Sequence, residues 1–305
     1  MTEHWQSAPP EPRPSVVTRL GIAATALVVV AALVVIGVNL VQPDDPIAQP
    51  RVTPSSAAPP PQPAPATQAW ALPEREWEVL PAPNPTSPLA AAQDTPLNAL
   101  VSVRLASCPH PTPITSEKQW RSDVQAQWSC LHRAFIPEFE RLGWPTAEPA
   151  VEFFTGPGDD SVCGYLDAPA FYCADGDGTV HFGGEHFEMA KAWDLSINEM
   201  VNHEYGHHLQ SLAGITTAKM AVGGREADRR AELQAVCWSG MLTMHNRSFT
   251  FNERDYRSWE DRLASMREDR IHGNRASLIY WGMRGLYAAT LGDCNTWVVE
   301  PERVA

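Results

Sequence analysis

The sequence has too few basic residues for a protein that binds nucleic acid. Its 23 lysine and arginine residues stand against 36 aspartate and glutamate residues, which gives a formal net charge of -13. Proteins that bind nucleic acid contact phosphate groups through basic side chains clustered on one face or along one helix. No stripe of lysine or arginine is visible in this chain, so nucleic acid is not an expected partner, and the acidic balance mainly favours solubility.

The sequence also lacks a C-x-x-C pair, so its six cysteines do not indicate a metal knuckle. An even number of cysteines without that motif favours an oxidising compartment and up to three disulfides. Cys163 and Cys173, which flank a short turn-rich stretch, are the first expected pair. The sequence leaves open how the other four are paired, namely Cys108, Cys130, Cys237 and Cys294.

A small-residue cleavage site is missing after the apolar run at residues 20–41, which contains no charged residue. A helix of this length spans the roughly 30 Å hydrocarbon layer of a membrane. We therefore expect an uncleaved transmembrane helix rather than a signal peptide. Arg13 and Arg19 precede the run and Asp44 and Asp45 follow it, so residues 1–19 are predicted to be a cytoplasmic tail and the C-terminal domain to be extracytoplasmic.

Residues 42–96 lack the composition of a hydrophobic core, because they contain 15 of the 28 prolines together with many alanines and serines. We expect this segment to be a disordered Pro/Ala-rich stalk, with a proline-motif ligand for a partner domain as the alternative. Residues 97–305 remain for one domain of ordinary size.

The domain is predicted to be α+β, mostly helical with a small sheet. Residues 116–144 have apolar residues at helical spacing and end at a glycine and a proline, and "AVEFF" and "TVHFG" are typical of short strands. Further helices are expected from a cap at Asp194 or Ser196 through Leu212, from Arg225 to about His245, over residues 252–269 and over residues 275–291.

The stretch "VNHEYGHHLQ" contains the motif H-E-x-x-H in the middle of a predicted helix. Residues four apart lie one turn above each other, so His203 and His207 can direct two imidazoles at one metal ion while Glu204 borders the same site. A catalytic zinc ion takes three protein ligands and leaves a position for water, whose proton a nearby carboxylate accepts. The spacing therefore predicts His203 and His207 as ligands and Glu204 as general base.

Glu232 is the expected third ligand. It lies among Ala231, Leu233 and Val236, and a carboxylate in so apolar a stretch needs a partner. The charged residues that precede it, residues 226–230, are interpreted as a solvated face.

These residues also carry a family resemblance. The segments "HEYGHHLQ" and "RRAELQAVCWSGM" resemble the bacterial neutral zinc metallopeptidase family, whose pattern is H-E-x-G-H-H-x-Q followed by E-L-Q-A-D-C. The segments "CGYLDAPAFYCADGDGTVHF" and "HGNRASLIYWGMRG" resemble two further motifs of that family. The resemblance covers roughly residues 116–297 and leaves out the expected membrane helix and stalk.

The resemblance implies a zincin-like fold of the gluzincin type that binds one Zn²⁺ per chain. His203, His207 and Glu232 would then be the zinc ligands and Glu204 the catalytic base. An edge strand that precedes the helix with the H-E-x-x-H motif would bind an extended peptide, and "TVHF" at residues 179–182 is the expected strand. His272, in the segment that begins "HGN", is a candidate stabiliser of the transition-state oxyanion.

Three positions depart from the family pattern. Val236 replaces an aspartate expected to accept a hydrogen bond from a ligand histidine, and losing such a partner typically costs about 10- to 100-fold in metal affinity or activity. Leu278 replaces an arginine, and Ala174 replaces a proline.

The remaining histidines are predicted to be structural. His208 lies about 100° around the helix from His207 and cannot join the same ligand set. His181 and His186 have no helical spacing to the motif, and Tyr205 and Tyr280 are only weak candidates for the site.

The sequence thus predicts a membrane-anchored extracytoplasmic zinc metalloprotease, a hydrolase that acts on a peptide or protein substrate. The first alternative is a zincin-fold binding or scaffold protein at the cell surface with weak or no proteolysis, suggested by Val236. A second alternative is an adhesive surface protein in which the histidines only pack.

Overall fold

The computed structural model describes residues 70–155, 161–164, 166 and 168–305. The expected cytoplasmic tail, the expected transmembrane helix at residues 20–41 and much of the expected stalk lie outside these residues. Within the described part of the chain, no helix is both long enough and apolar enough to cross a membrane.

The described chain folds as an α+β domain that is mostly helical with one small sheet, as predicted. The helices are α1 (Ala90–Gln93), α2 (Glu117–Leu142), α3 (Gly184–Ala192), α4 (Ser196–Leu212), α5 (Ile215–Val222), α6 (Arg225–Met244), α7 (Glu253–Ser265) and α8 (Arg275–Tyr287). The strands are β1 (Ala150–Phe154), β2 (Ala170–Cys173) and β3 (Thr179–Gly183). Short 3₁₀ helices lie at Pro96–Ala99, Leu291–Cys294 and Pro301–Val304.

Local sequence signals explain where most helices begin and end. The Ser116 hydroxyl accepts a hydrogen bond from the Gln119 backbone N–H at the start of α2, and Gly143 closes the helix in the left-handed conformation. Asn252 and Asp255 form a capping box at the start of α7. α7 ends at Ser265 and α8 at Tyr287, earlier than predicted, because turns follow both helices before the next element.

The expected cap of α4 is wrong. The N-cap residue is Leu195, which provides no side-chain hydrogen bond, and Ser196 is already the first helical residue. The predicted C-terminus at Leu212 is confirmed, and Gly214 adopts a left-handed conformation with φ 76° between α4 and α5. Burial of α4 along most of its length stabilises it in place of a cap.

The expectation that residues 179–182 form an edge strand is also wrong. The strand order is β1-β3-β2, with β3 parallel to β1 and antiparallel to β2, so β3 is central and hydrogen-bonded on both sides. The sequence did not predict β2, whose pairing with β3 covers the edge that would otherwise be free. Of the two outer strands, β2 packs against α4.

Close packing of α4 on α6 positions the site. Gly206 lies in the middle of α4, and a Cβ at this position would come within 3.2 Å of Ala235 in α6. Such a contact is tighter than ordinary van der Waals packing, so a glycine at residue 206 allows the two helices to approach. α6 in turn packs against α8, and the three helices build the centre of the core.

The packed domain begins before Leu97, which corrects the expected end of the stalk. The ring of Trp70 contacts Phe251, with centroids 6.1 Å apart, and the ring of Trp77 contacts Tyr280 at 5.4 Å. Ala92 is buried. A proline-rich segment does not build a core of its own, but its aromatic side chains can bury surface against a core that already exists.

Three disulfides join all six cysteines, which confirms the expected number and the expected Cys163–Cys173 pair. The other two pairs, left open by the sequence, are Cys108–Cys130 and Cys237–Cys294. Cys237–Cys294 ties α6 to the C-terminal segment across 57 residues of sequence.

Candidate metal centre

Two histidines of α4 and one glutamate of α6 converge on a single point. His203 Nε2 and His207 Nε2 each lie 3.2 Å from Glu232 Oε2, and the two Nε2 atoms lie 3.2 Å from each other. Ligands that surround zinc tetrahedrally with bonds of about 2.0–2.1 Å are separated by about 3.3 Å. The triangle therefore fits a metal ion, and the three residues form a group that could hold one.

The charges of the group favour a cation at its centre. Burial lowers the pKa of His207, but the facing Glu232 carboxylate outweighs burial and raises that pKa to about 9. Burial likewise opposes ionisation of Glu232, yet the two histidines hold its pKa well below the usual range. Positive charge placed among these three side chains is thus stabilised by the carboxylate.

Gln210 fixes the orientation of His207. Its side-chain oxygen lies 2.9 Å from His207 Nδ1, while its Nε2 donates to the Ala231 carbonyl oxygen at 2.8 Å and to Gln234 Oε1 at 3.0 Å. An amide oxygen held in this way accepts the Nδ1 proton and leaves the Nε2 lone pair directed at the ligand group. The sequence reasoning did not assign this role, although Gln210 is the last residue of the H-E-x-G-H-H-x-Q pattern.

His203 has no equivalent support. Among the described residues, no side chain or carbonyl hydrogen-bonds to its Nδ1. Val236 lies one turn after Glu232 on α6 and is buried, and its apolar side chain offers no acceptor. Only one of the two histidines is therefore oriented by a hydrogen bond.

Glu204 is a buried carboxyl group beside the ligands. Its side chain is almost fully inaccessible, and Oε2 has no hydrogen-bond partner. Burial raises its pKa, while the charges of His207 and His203 act in the opposite direction. An unpaired carboxyl oxygen in this position is free to exchange a proton with a molecule bound at the group.

His272 approaches the same group from the turn before α8. Its Nε2 lies 3.8 Å from Glu232 Oε2, and its Nδ1 lies 2.8 Å from Asp269 Oδ2. Asp269 Oδ1 accepts the backbone N–H groups of Ile271 and His272, at 2.8 and 2.6 Å. These bonds lower the pKa of Asp269 against the opposing effect of burial. Sequence reasoning missed Asp269, and its only signal was the three-residue spacing before His272.

The histidines predicted to be structural lie away from the ligand group. His208 is buried with Nδ1 2.9 Å from the Tyr172 hydroxyl oxygen, and burial together with His132 lowers its pKa to about 3. His186 accepts a hydrogen bond at Nδ1 from the Trp120 indole, and His181 stacks on a phenylalanine ring.

The other weak candidates and departures also lie outside the group. Tyr205 is fully buried in the core, and Tyr280 packs against Trp77. Leu278 is fully buried, whereas Ala174 is exposed.

Comparison of the chain with protein-family models, curated proteins and solved structures found no match in any of the three. The metallopeptidase resemblance accordingly rests on the motif residues. The geometry defines an α+β domain with a His₂Glu group that could hold a metal ion.

Proposed function

We propose that this protein is a membrane-anchored, extracytoplasmic zinc-dependent peptidase. One observation carries the proposal: three ligand atoms, each pair 3.2 Å apart, lie beside a buried Glu204 oxygen that has no partner. A structural ion pair needs no second carboxyl group of this kind. Hydrolysis needs one, because a base must take the proton of the attacking water.

Zinc is the metal that this group fits best. Two imidazoles and one carboxylate also suit iron(II), but iron sites of that type serve oxidation and need no adjacent base. Zinc bound to His203, His207 and Glu232 would supply Lewis acidity, lowering the pKa of a water to about 7 and polarising a substrate carbonyl.

Glu204 and His272 then have separate roles in the reaction. Glu204 accepts a proton as water adds to the peptide carbonyl, and it returns that proton to the leaving nitrogen when the C–N bond breaks. The products are a carboxylic acid and an amine, which ionise in water to a carboxylate and an ammonium group. In its imidazolium form, with Nδ1 donating to Asp269, His272 also donates a hydrogen bond from Nε2 to the carbonyl oxygen as negative charge develops there.

The free edge of β2 is the proposed binding edge for an extended substrate. The Gly183 N–H donates to the Pro169 carbonyl, and this register directs the backbone N–H and C=O groups of Ala170 and Tyr172 away from β3. No described residue forms a hydrogen bond with these backbone groups, and β2 packs against α4, which carries His203 and His207. A peptide added here would form main-chain hydrogen bonds independent of its sequence.

The six paired cysteines support an oxidising, extracytoplasmic location for the domain. The membrane anchor is proposed from the uncharged run at residues 20–41.

The test begins with elemental analysis of the full-length protein, purified without added metal, and continues with peptide turnover. We expect about one zinc per chain, loss of zinc in Glu232→Ala, and full zinc content without turnover in Glu204→Gln. A protein that holds no zinc and is unchanged by Glu232→Ala would rule the proposal out.

The alternative is a zinc-binding scaffold with the same fold and without proteolysis, favoured because Val236, one turn after Glu232, is apolar and no described residue hydrogen-bonds to His203 Nδ1. Turnover that appears only in Val236→Asp would support the scaffold. Turnover in the natural protein that Glu204→Gln abolishes would support the peptidase.

A further inference from the structure

A cavity of about 440 Å³ lies between residues 77–83 and the C-terminal segment. Its wall includes Trp77, Val79, Arg284 and Asp293 and contains none of the proposed metal ligands or catalytic residues. The volume is in the range of small-molecule sites, which run from about 300 to 1,000 Å³.

Arg284 is a buried cation on this wall without a carboxylate partner. Its residue exposure is 5%, its Nε donates to the Asp293 carbonyl at 2.6 Å, and its Nη1 donates to the Glu78 carbonyl at 2.9 Å. No described residue hydrogen-bonds to Nη2, and no described carboxylate lies within 4.0 Å of the guanidinium. A buried charge normally has an opposite charge beside it, so the absence of one points to a missing anion.

Trp77 adds a second unused donor. Its indole Nε1 is buried and has no hydrogen-bond partner, and the Arg284 guanidinium carbon lies 5.8 Å from its ring centre. The two unpaired groups of the wall are thus both N–H donors. A ligand that satisfies them must offer acceptors, as a carboxylate does and an ammonium does not.

The neighbouring carboxylates are already paired and do not neutralise Arg284. Glu78 Oε2 lies 2.7 Å from Arg303 Nη2. Asp293 Oδ2 accepts hydrogen bonds from the backbone N–H of residues 289 and 290 and from the Thr290 hydroxyl. Arg75 stacks over Trp77 at 4.2 Å. Of the charged residues that line the cavity, Arg284 is thus the cation without a carboxylate partner, and both carboxylates, Glu78 and Asp293, have partners of their own.

We infer that this cavity binds a carboxylate through Arg284 and Trp77, either as a small organic acid or as the C-terminus of a peptide. A planar carboxylate matches the geometry of the guanidinium. Phosphate carries more negative charge and is less well tolerated beside Glu78 and Asp293.

The test uses full-length protein stripped of metal by chelation, so that binding at the metal centre does not contribute. The probes are N-acetyl-leucine and its amide, the tripeptide acetyl-Ala-Ala-Leu and its amide, and inorganic phosphate. Binding is followed by the NMR resonance of the Trp77 indole N–H, assigned with Trp77→Phe. We expect the acids to shift this resonance and to bind at least about tenfold more tightly than the amides, because a charge-assisted bond to Arg284 is lost in the amide. Tighter binding by the tripeptide identifies a peptide C-terminus, and equal binding identifies a small acid.

Two sets of variants locate the site. Arg284→Gln should abolish the difference between acid and amide. Val79 lines the cavity and is 90% exposed, so substitutions there leave the fold intact. Val79→Lys should strengthen and Val79→Glu should weaken acid binding, each by about twofold for a unit charge roughly 8 Å away in water.

Equal binding of acid and amide would overturn the inference, as would phosphate binding more tightly than the acids. Unchanged affinities in both Val79 variants would place the bound acid elsewhere. This holds even if Arg284→Gln fails to fold.

Discussion

Gln210→Leu tests whether the metal centre depends on the hydrogen bond that orients His207. The change removes the oxygen 2.9 Å from His207 Nδ1 and also the donor to the Ala231 carbonyl and Gln234. Loss of an orienting partner lowers metal affinity by about 10- to 100-fold, which corresponds to about 1.4–2.7 kcal/mol. Gln234 Oε1 still accepts from the Trp297 indole, so the free energy of unfolding should fall by no more than the net worth of the bonds removed, about 0.5–1.5 kcal/mol for each.

The two effects need separate assays. Zinc affinity is measured by competition with a chelator at a temperature where the variant is fully folded, and stability by urea unfolding of the metal-free protein. Gln127→Leu is the matched control, because Gln127 is equally buried and its Nε2 donates to Asn202 Oδ1 at 2.9 Å, without contacting the ligand group.

We expect the control to lose stability and to keep its zinc affinity within about threefold. Equal losses of zinc affinity in the two variants would refute the reasoning, because the effect would then follow general destabilisation of α4. Unchanged affinity in Gln210→Leu would show that His207 needs no orienting bond.

Three further predictions concern catalysis, pH and the disulfides. Asp269→Asn should lower kcat by about 10- to 100-fold, because His272 loses the acceptor that fixes its ring, while KM and zinc content stay unchanged. A variant that loses stability but keeps its kcat would contradict this prediction. Burial lowers the pKa of His186 from 6.5 to about 3. Between these pH values the unfolded chain binds a proton at His186 and the folded chain does not. Stability should therefore fall as pH drops from 6.5 towards 3, by about 3 kcal/mol at pH 4, and His186→Asn should flatten this slope in urea titrations. Replacing both Cys237 and Cys294 by serine should lower the free energy of unfolding by about 4 kcal/mol, since that disulfide closes the longest loop of the three, and a change below about 1 kcal/mol in urea unfolding would refute the estimate.

Local patterns predicted five of the eight helices in the described residues and two of the three side chains that could hold a metal ion. His203 and His207 belong to one helix, whose geometry fixes their relation once the helix is assigned. Glu232 comes from a second helix, and its apolar surroundings in sequence were enough to single it out. Where a helix cap was predicted for α4, burial of the helix replaced it.

Features that depend on tertiary pairing were missed. β2 has four residues within a turn-rich segment, and so short an apolar run is not distinguishable from a loop by periodicity. Without β2, the sequence could not show that β3 is the central strand. Trp77 lies in a proline-rich stretch that predicted a stalk, and only the surface it packs on shows that it belongs to the domain.

The α6 helix connects several parts of the candidate metal group. It contributes Glu232 to the candidate metal group, and the carbonyl of the preceding residue, Ala231, together with Gln234, anchors the Gln210 side chain that orients His207. Gly206 lets α4 approach this same face of α6. A shift of α6 would therefore displace one ligand and release the support of another at the same time. Val236 lies one turn after Glu232 on this helix and offers no hydrogen-bond acceptor, so His203 is the member of the group whose orientation has the least support.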